Sequence, residues 1–132
     1  MGCTALREVS LCAKIEFIGE RAFMGCTSLS RVGGAGFVKQ ISAEAFRGCT
    51  SLKRLDFFLK IERIAKRAFM GCSSLSSLDL YGSLHTMDDE CFAECTALKS
   101  VEISSNIKYI GKSIFRGCSS LVSCSFTKSH TR

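Results

Sequence analysis

The sequence predicts an α/β repeat solenoid, a stack of coils in which short strands form a parallel sheet and short helical or irregular segments complete each turn. Three observations predict it. The 132 residues divide from the first residue into units of 23 without insertion. Cys occupies position 3 and Leu position 6 of every unit, and Phe closes every complete unit at position 23. One such unit is too short to enclose its own Leu and Phe, so neighbouring units must bury them.

The repeat sets the domain organisation. We predict a single domain over residues 1–132 and expect it to be a fragment of a longer protein, because neither end shows the polar cap of a solenoid. Head-to-tail association through the uncapped N-terminal coil is the alternative. Five complete repeats and one partial repeat cover 1–23, 24–46, 47–69, 70–92, 93–115 and 116–132.

The first element of each unit, positions 6 to 11, reads as a short strand. In the fifth unit, Leu98, Val101 and Ile103 supply its apolar residues, and the last two alternate with polar ones. Such alternation is typical of a strand with one buried face. Positions 8 and 10 should therefore project away from the core.

The rest of each unit is predicted to hold a second extended segment and one helical turn. Positions 15 and 18 are apolar throughout, as Ile15 and Ile18 illustrate. The stretch from Glu20 to Phe23 resembles a helical turn that directs Phe inward. Gly at the next position 2 would end that turn in a left-handed conformation, with Glu94 as the one exception.

The pattern I-x-x-x-A-F-x-G-C-x-S-L-x-x-V-x-I recurs five times and resembles the BspA-like leucine-rich repeat, also called the Treponema pallidum type. The resemblance implies a right-handed coil with a parallel sheet of short strands on the concave side and helical or irregular segments opposite. It also implies protein binding rather than catalysis, as in surface and adhesion proteins of bacteria and parasitic protists. The family usually has Pro at position 12, where this chain has Cys12, Ala35, Phe58, Tyr81, Ser104 and Thr127.

Six of the nine cysteines occupy the column at position 3. Neighbouring coils would bring their Cα atoms within disulfide range, but parallel side chains in register would need unusual torsions. We interpret the column as small, buried side chains at a tight corner. Cys91 and Cys95, with His85 before them, could suggest zinc. However, Cys91 stands in the column that Ala22 and Ile114 occupy, so we predict a core residue, no metal and no cofactor.

The compartment stays open at this point. Reduced thiols would favour a reducing environment, whereas the resemblance points to the cell surface. No apolar run approaches the roughly 18 residues that span a bilayer, so we predict no transmembrane segment.

The net charge of +6 is unevenly distributed. The third repeat carries seven Lys and Arg residues, whereas the fourth carries none and is acidic. A nucleic-acid groove needs one sign of charge along a continuous stripe, so this pattern disfavours nucleic acid. We expect attraction between the two coils instead, with Lys66 or Arg67 near Asp88 or Asp89.

The sequence shows no arrangement of residues that is typical of a catalytic site. A nucleophilic Cys needs a nearby base, and the only histidines are His85 and His130. The glycine-rich run Gly33–Gly36 does not match a phosphate-binding loop. We predict that the chain is not an enzyme and has no catalytic residues.

The leading functional hypothesis is a non-enzymatic protein–protein interaction scaffold that binds through the exposed face of its strand ladder, with adhesion at a cell surface as the setting that the resemblance implies. A structural, self-associating segment and a polyanion- or RNA-binding module are the alternatives. Phe58 and Tyr81 could instead pack over the corner where the family has Pro. The predicted partner-binding residues are Arg31, Arg54, Asp56, Phe58, Asp79, Tyr81 and Glu102.

Overall fold

The computed structural model describes residues 2–11, 14–34, 37–55, 60–80 and 82–127. These residues form eleven short strands and no helix. The strands, numbered in chain order, are β1 (Glu8–Ser10), β2 (Phe17–Ile18), β3 (Arg31–Gly33), β4 (Gln40–Ile41), β5 (Arg54–Leu55), β6 (Arg63–Ile64), β7 (Ser77–Leu80), β8 (Thr86–Met87), β9 (Ser100–Ser104), β10 (Tyr109–Ile110) and β11 (Ser123–Thr127).

All strand pairs are parallel, and each joins two successive coils. The odd-numbered strands form the sheets β1-β3-β5 and β7-β9-β11, and the even-numbered strands form one five-stranded sheet, β2-β4-β6-β8-β10. Glu8 pairs with Arg31, and Ser77 pairs with Ser100, each 23 residues on. The predicted solenoid of parallel strands is therefore confirmed, and each of the five complete coils has the second extended segment that the apolar pattern predicted.

The leucines at position 6 form one inward-facing column. Leu29, Leu52, Leu75 and Leu98 are 0% exposed, and Leu6 of the first coil is partly buried against the same core. A fully buried Leu contributes roughly 1.5–3 kcal/mol of transfer free energy, so this column is a large part of the cohesion between coils. The predicted shared interior is confirmed.

The phenylalanines at position 23 form a second column, of stacked rings. The ring centroids of Phe46 and Phe69 lie 5.2 Å apart with an interplanar angle of 2°, and those of Phe69 and Phe92 lie 5.2 Å apart with an angle of 3°. Phe23 and Phe115 continue the stack at its two ends. Identical residues one coil apart have nearly identical orientations, so the rings stack face to face with little rotation.

The predicted helical turn at positions 20 to 23 is wrong. The residue at position 21 has a positive φ in every complete coil, for example 56° at Arg21, and a right-handed helix cannot continue through it. Its backbone N–H donates to the carbonyl oxygen of Ala43 in the next coil (3.0 Å), and that of Phe23 donates to Ala45 (2.7 Å). Only the intervening Ala22 N–H bonds within the coil, to Gly19 (3.2 Å). The segment is thus a non-helical turn that is hydrogen-bonded from coil to coil.

The residue at position 2 is left-handed, as predicted. Gly25, Gly48, Gly71 and Gly117 have φ values of 73° to 79°, and Glu94 adopts a similar 62° without being glycine. Position 12, where the family usually has Pro, is described in only two coils. In the fifth coil, β9 runs through this position to the buried Ser104, whose Oγ accepts the backbone N–H of Asn106 (3.2 Å).

Candidate functional site

The outward side chains of the odd-numbered strands form a surface that we call the strand face. Along β7, Ser77 and Asp79 are exposed whereas Leu78 and Leu80 are buried. This alternation is the two-residue period of a strand with one face on the core. Positions 8 and 10 of each coil therefore point outward, as the sequence predicted.

The structure places four of the seven predicted binding residues on the strand face. Arg31 and Arg54 begin β3 and β5 and are direct cross-strand partners. Asp79 and Glu102 are direct partners in β7 and β9. The strand face thus carries a pair of cations and a pair of carboxylates, each on neighbouring coils. Three predicted residues lie outside the described residues: Asp56, Phe58 and Tyr81.

A shallow hollow of ≈ 320 Å³, which we call the strand-face hollow, lies beside the cation pair. Its lining is formed by Glu8, Ser30, Arg31, Lys53 and Arg54. Sequence reasoning missed Lys53, because position 7 lies just before the strand and outside the alternating pattern. The adjacent basic residues Lys53 and Arg54 were the available signal. Both of them also line a second hollow of ≈ 400 Å³ that reaches Asp79.

Elsewhere, arginines are paired with carboxylates of a neighbouring coil. Arg21 Nε donates to Glu44 (2.9 Å), and Arg67 Nε donates to Glu90 (2.8 Å). Hydrogen bonds from Arg21 and then from Arg47 lower the pKa of Glu44 below its usual value. A hydrogen bond from Arg67 likewise lowers the pKa of Glu90.

The expected attraction between the basic third repeat and the acidic fourth is present, with different partners. Arg63 bonds to Asp88 (2.7 Å), whereas Arg67 bonds to Glu90 rather than to either aspartate. The Asp89 carboxylate instead accepts the backbone N–H of Lys112 (2.9 Å). Side-chain direction around the turn therefore decides which carboxylate each arginine reaches.

The cations of the strand-face hollow differ from these paired arginines. Arg31, Lys53 and Arg54 make no ion pair with any described residue. Like charges directly opposite each other on neighbouring strands are destabilising, and Arg31 and Arg54 have that relation. The hollow is therefore a local excess of positive charge that the described part of the fold does not neutralise.

The cysteine column has a structural role that the sequence did not reveal. The Cys49 thiol donates to the carbonyl oxygen of Phe23 (3.1 Å), and the Cys72 thiol donates to that of Phe46 (3.3 Å). Cys95 and Cys118 repeat this contact in the next coils. The eight described cysteines are free thiols. These four column members thus each donate a hydrogen bond to the Phe 26 residues earlier, where the preceding coil begins.

Burial makes the column thiols poor nucleophiles. Desolvation raises the pKa of Cys49 to about 12 and that of Cys95 to about 12. The thiolate is the reactive form, and it is scarce at neutral pH when the pKa lies so high. Cys91 is 0% exposed, in agreement with its predicted core position, and burial raises its pKa as well.

Two further properties of the described residues bear on function. They contain no cluster of three or more His, Cys, Asp or Glu side chains that could hold a metal ion. Within the same ranges, no helix is long and apolar enough to cross a membrane. The ring Nδ1 of His85 lies 3.0 Å from the Thr86 hydroxyl.

Comparison with known proteins is consistent with this geometry. The family model of the BspA type leucine-rich repeat region matches residues 17–132 in six copies. The crystal structure of a T. pallidum leucine-rich repeat protein is similar, with a TM-score of 0.81 and 28% identity over 95% of this chain and 62% of that chain. A leucine-rich repeat protein from Bacteroides ovatus gives 0.75 and 28% over 97% of this chain and 37% of that chain. This chain therefore spans less than two thirds of the length of either protein. The curated proteins contain no match.

Proposed function

The chain belongs to the BspA-type leucine-rich repeat family, and from this premise we propose that it is a non-enzymatic scaffold that binds a protein partner through the strand face. Repeats of this family are typical of protein-interaction scaffolds. The finer proposal is that the outward residues of β3, β5, β7 and β9 make the contact, and that the setting is adhesion at a cell surface.

The observation that carries the proposal is the register of the outward side chains. Arg31 lies directly beside Arg54, and Asp79 lies directly beside Glu102, on strands that differ by one coil. Backbone hydrogen bonds join the coils along the odd strands, the even strands and the turns. A surface held in this way loses little conformational entropy on binding, which favours affinity.

The chemistry of the buried groups supports binding rather than catalysis. Burial raises the pKa values of four column thiols that also donate to carbonyl oxygens: Cys49, Cys72, Cys95 and Cys118. A nucleophilic cysteine would need a lowered pKa and a base within hydrogen-bond reach.

The test is capture of a partner from the native source by the full chain, compared between two sets of substitutions. We expect the strand-face set to lose the captured protein and the control set to keep it, with unchanged melting temperatures in both. Capture of the same proteins by both sets would contradict the proposal. The strand-face set is Arg31→Ser, Arg54→Ser, Asp79→Ser and Glu102→Ser. The control set removes two cations and two carboxylates from exposed positions beside the even strands: Glu16→Ser, Lys39→Ser, Glu62→Ser and Lys108→Ser.

Phe58, Tyr81 and Asp56 stay in the proposed surface on sequence grounds. Replacing Phe58 and Tyr81 by Ser should weaken capture if they contact the partner. A lower melting temperature with unchanged capture would assign them to packing at the corner instead.

Self-association is a second candidate, favoured by exposed apolar side chains on the last coil. Val122 is 84% exposed and Phe126 is 55% exposed, whereas Ile103, one coil before Phe126, is 2% exposed. A second copy could cover these side chains with its first coil. Light scattering over a range of concentrations tests this, and a constant monomer mass would contradict it.

A further inference from the structure

We infer that the strand-face hollow binds an acidic segment of the protein partner, with carboxylates of that segment contacting Arg31, Lys53 and Arg54. The inference rests on the proposed function and specifies the chemistry of the partner.

Paired and unpaired arginines occupy different parts of the fold. Every described arginine of the turns and of the even strands lies within 4.0 Å of a carboxylate. Those without such a partner are Arg7, Arg31 and Arg54, and all three lie on or directly before the odd strands. Among the described residues, the fold therefore supplies carboxylates to its other arginines and gives these three guanidinium groups no ion-pair partner.

The cation arrangement is unfavourable in the free protein. Arg31 faces Arg54 on one side, which repels, and Glu8 on the other, and Lys53 adds a third cation, so the single carboxylate of Glu8 offsets the three cations only in part. A carboxylate placed between the two guanidinium groups replaces this repulsion with charge-assisted hydrogen bonds, which are stronger than neutral ones. Anion binding should therefore relieve an unfavourable interaction that the free protein tolerates.

The charge pattern along the strand face favours a protein segment over a nucleic acid or a sulfated glycan. The strand-face cations of β3 and β5 give way to the carboxylates Asp79 and Glu102 in β7 and β9. A uniformly charged polymer needs a continuous basic stripe, and these carboxylates would repel it. A polypeptide can change from acidic to neutral or basic within a few residues, which matches the short basic stretch.

The experiment measures binding of a short fluorescent synthetic peptide, an acidic stretch of alternating Glu and Ser followed by a neutral stretch of Ser, to the full chain by anisotropy. The variant Arg31→Ser/Arg54→Ser is compared with Lys39→Ser/Lys108→Ser, which removes the same charge from exposed positions beside the even strands. We expect the first variant to weaken binding by roughly tenfold or more and the second to leave it nearly unchanged. The matching Gln and Ser peptide should not bind.

Thermal melting of the first variant provides an independent readout. Removal of two exposed cations that repel each other should leave the melting temperature unchanged or raise it. Loss of peptide binding then reflects the missing contacts rather than unfolding. A fall in the melting temperature of this variant would overturn the argument that the pair is unfavourable in the free protein.

Three results would overturn the inference. They are the absence of binding to the Glu peptide, equal weakening by both variants, and tighter arginine-dependent binding of a heparin oligosaccharide than of the peptide.

Partner capture separates this inference from the proposed function. Capture that survives Arg31→Ser/Arg54→Ser but is lost in the four-residue strand-face set refutes only the acidic segment. Capture that survives the four-residue set refutes the proposed function itself.

Discussion

A cysteine at position 3 combines two properties that the inner corner of each coil requires. Its side chain is small enough for a position that is 0% exposed in Cys49, Cys72 and Cys95. Its thiol also donates to the carbonyl oxygen of the Phe that immediately precedes the previous coil, as Cys72 does to Phe46 at 3.3 Å. The column is thus a ladder of weak hydrogen bonds beside the stacked phenylalanine rings.

Substitution of a column cysteine should therefore cost more than substitution of an equally buried cysteine outside the column. We expect Cys72→Ala to lower the free energy of unfolding by about 1–3 kcal/mol, through the lost hydrogen bond and the cavity left by sulfur. Cys91→Ala is the matched control, because Cys91 is also 0% exposed and the equivalent residue is Ala68 one coil earlier. Urea denaturation measures both values. Equal losses would show that the thiol donor contributes nothing beyond its volume.

At the scale of the elements, the turn between the even strand and the next coil is the part that the sequence predicted least well. Positions 20 to 23 read as a helical turn because Glu, Arg and Ala favour helices. The decisive feature is the positive φ at Arg21, Glu44, Arg67 and Glu90, and none of these is the Gly or Asn that signals such a conformation. Backbone hydrogen bonds to the next coil outweigh the conformational cost of the positive φ. The sequence of one repeat does not show these bonds, because their acceptors lie in another repeat.

The candidate site likewise has features that the sequence could predict and features that it could not. The outward direction of Arg31 and Asp79 follows from strand periodicity alone, so the sequence could predict it. Other contacts depend on where the side chains of neighbouring coils lie. Among the described residues Lys53 has no ion-pair partner, and Arg67 bonds to Glu90 rather than to an aspartate. These contacts link residues one coil apart, and a repeat pattern gives their alignment without giving their side-chain directions.

The turns also contain two equivalent glycines whose surroundings differ. A Cβ added to Gly111 would clash with Asp89 Oδ1 and lie 2.6 Å from Asp89 N, whereas one added to Gly19 meets nothing within 4 Å. The Asp89 carboxylate is held there by its bond to the Lys112 N–H. Gly111→Ala should therefore cost about 1–3 kcal/mol through displacement of backbone and side chain, and Gly19→Ala should be nearly neutral. Thermal melting of both variants checks this, and equal melting temperatures would show that the fourth coil yields without cost.

At the scale of the whole molecule, each coil contributes to one continuous core and contacts only its neighbours. The stability of such a stack is approximately a sum of the coils' own terms and the terms between adjacent coils. Leu75 lies in the middle of the leucine column and is 0% exposed, whereas Leu6 in the first coil is only partly buried. The energetic weight of a column position should therefore depend on whether coils pack on both sides of it.

Paired truncations in the leucine column test this dependence. Leu75→Ala removes a side chain that coils on both sides enclose, and we expect it to lower the free energy of unfolding by about 2–5 kcal/mol. Leu6→Ala removes the same atoms from a position with a neighbour on one side, so its cost should be less than about half as large on the same scale. Urea denaturation followed by circular dichroism gives both values. A broadened or biphasic transition for Leu75→Ala alone would indicate that the central substitution uncouples the two halves of the stack, which nearest-neighbour coupling allows. Equal costs for the two substitutions would contradict the view that adjacent coils bury each other.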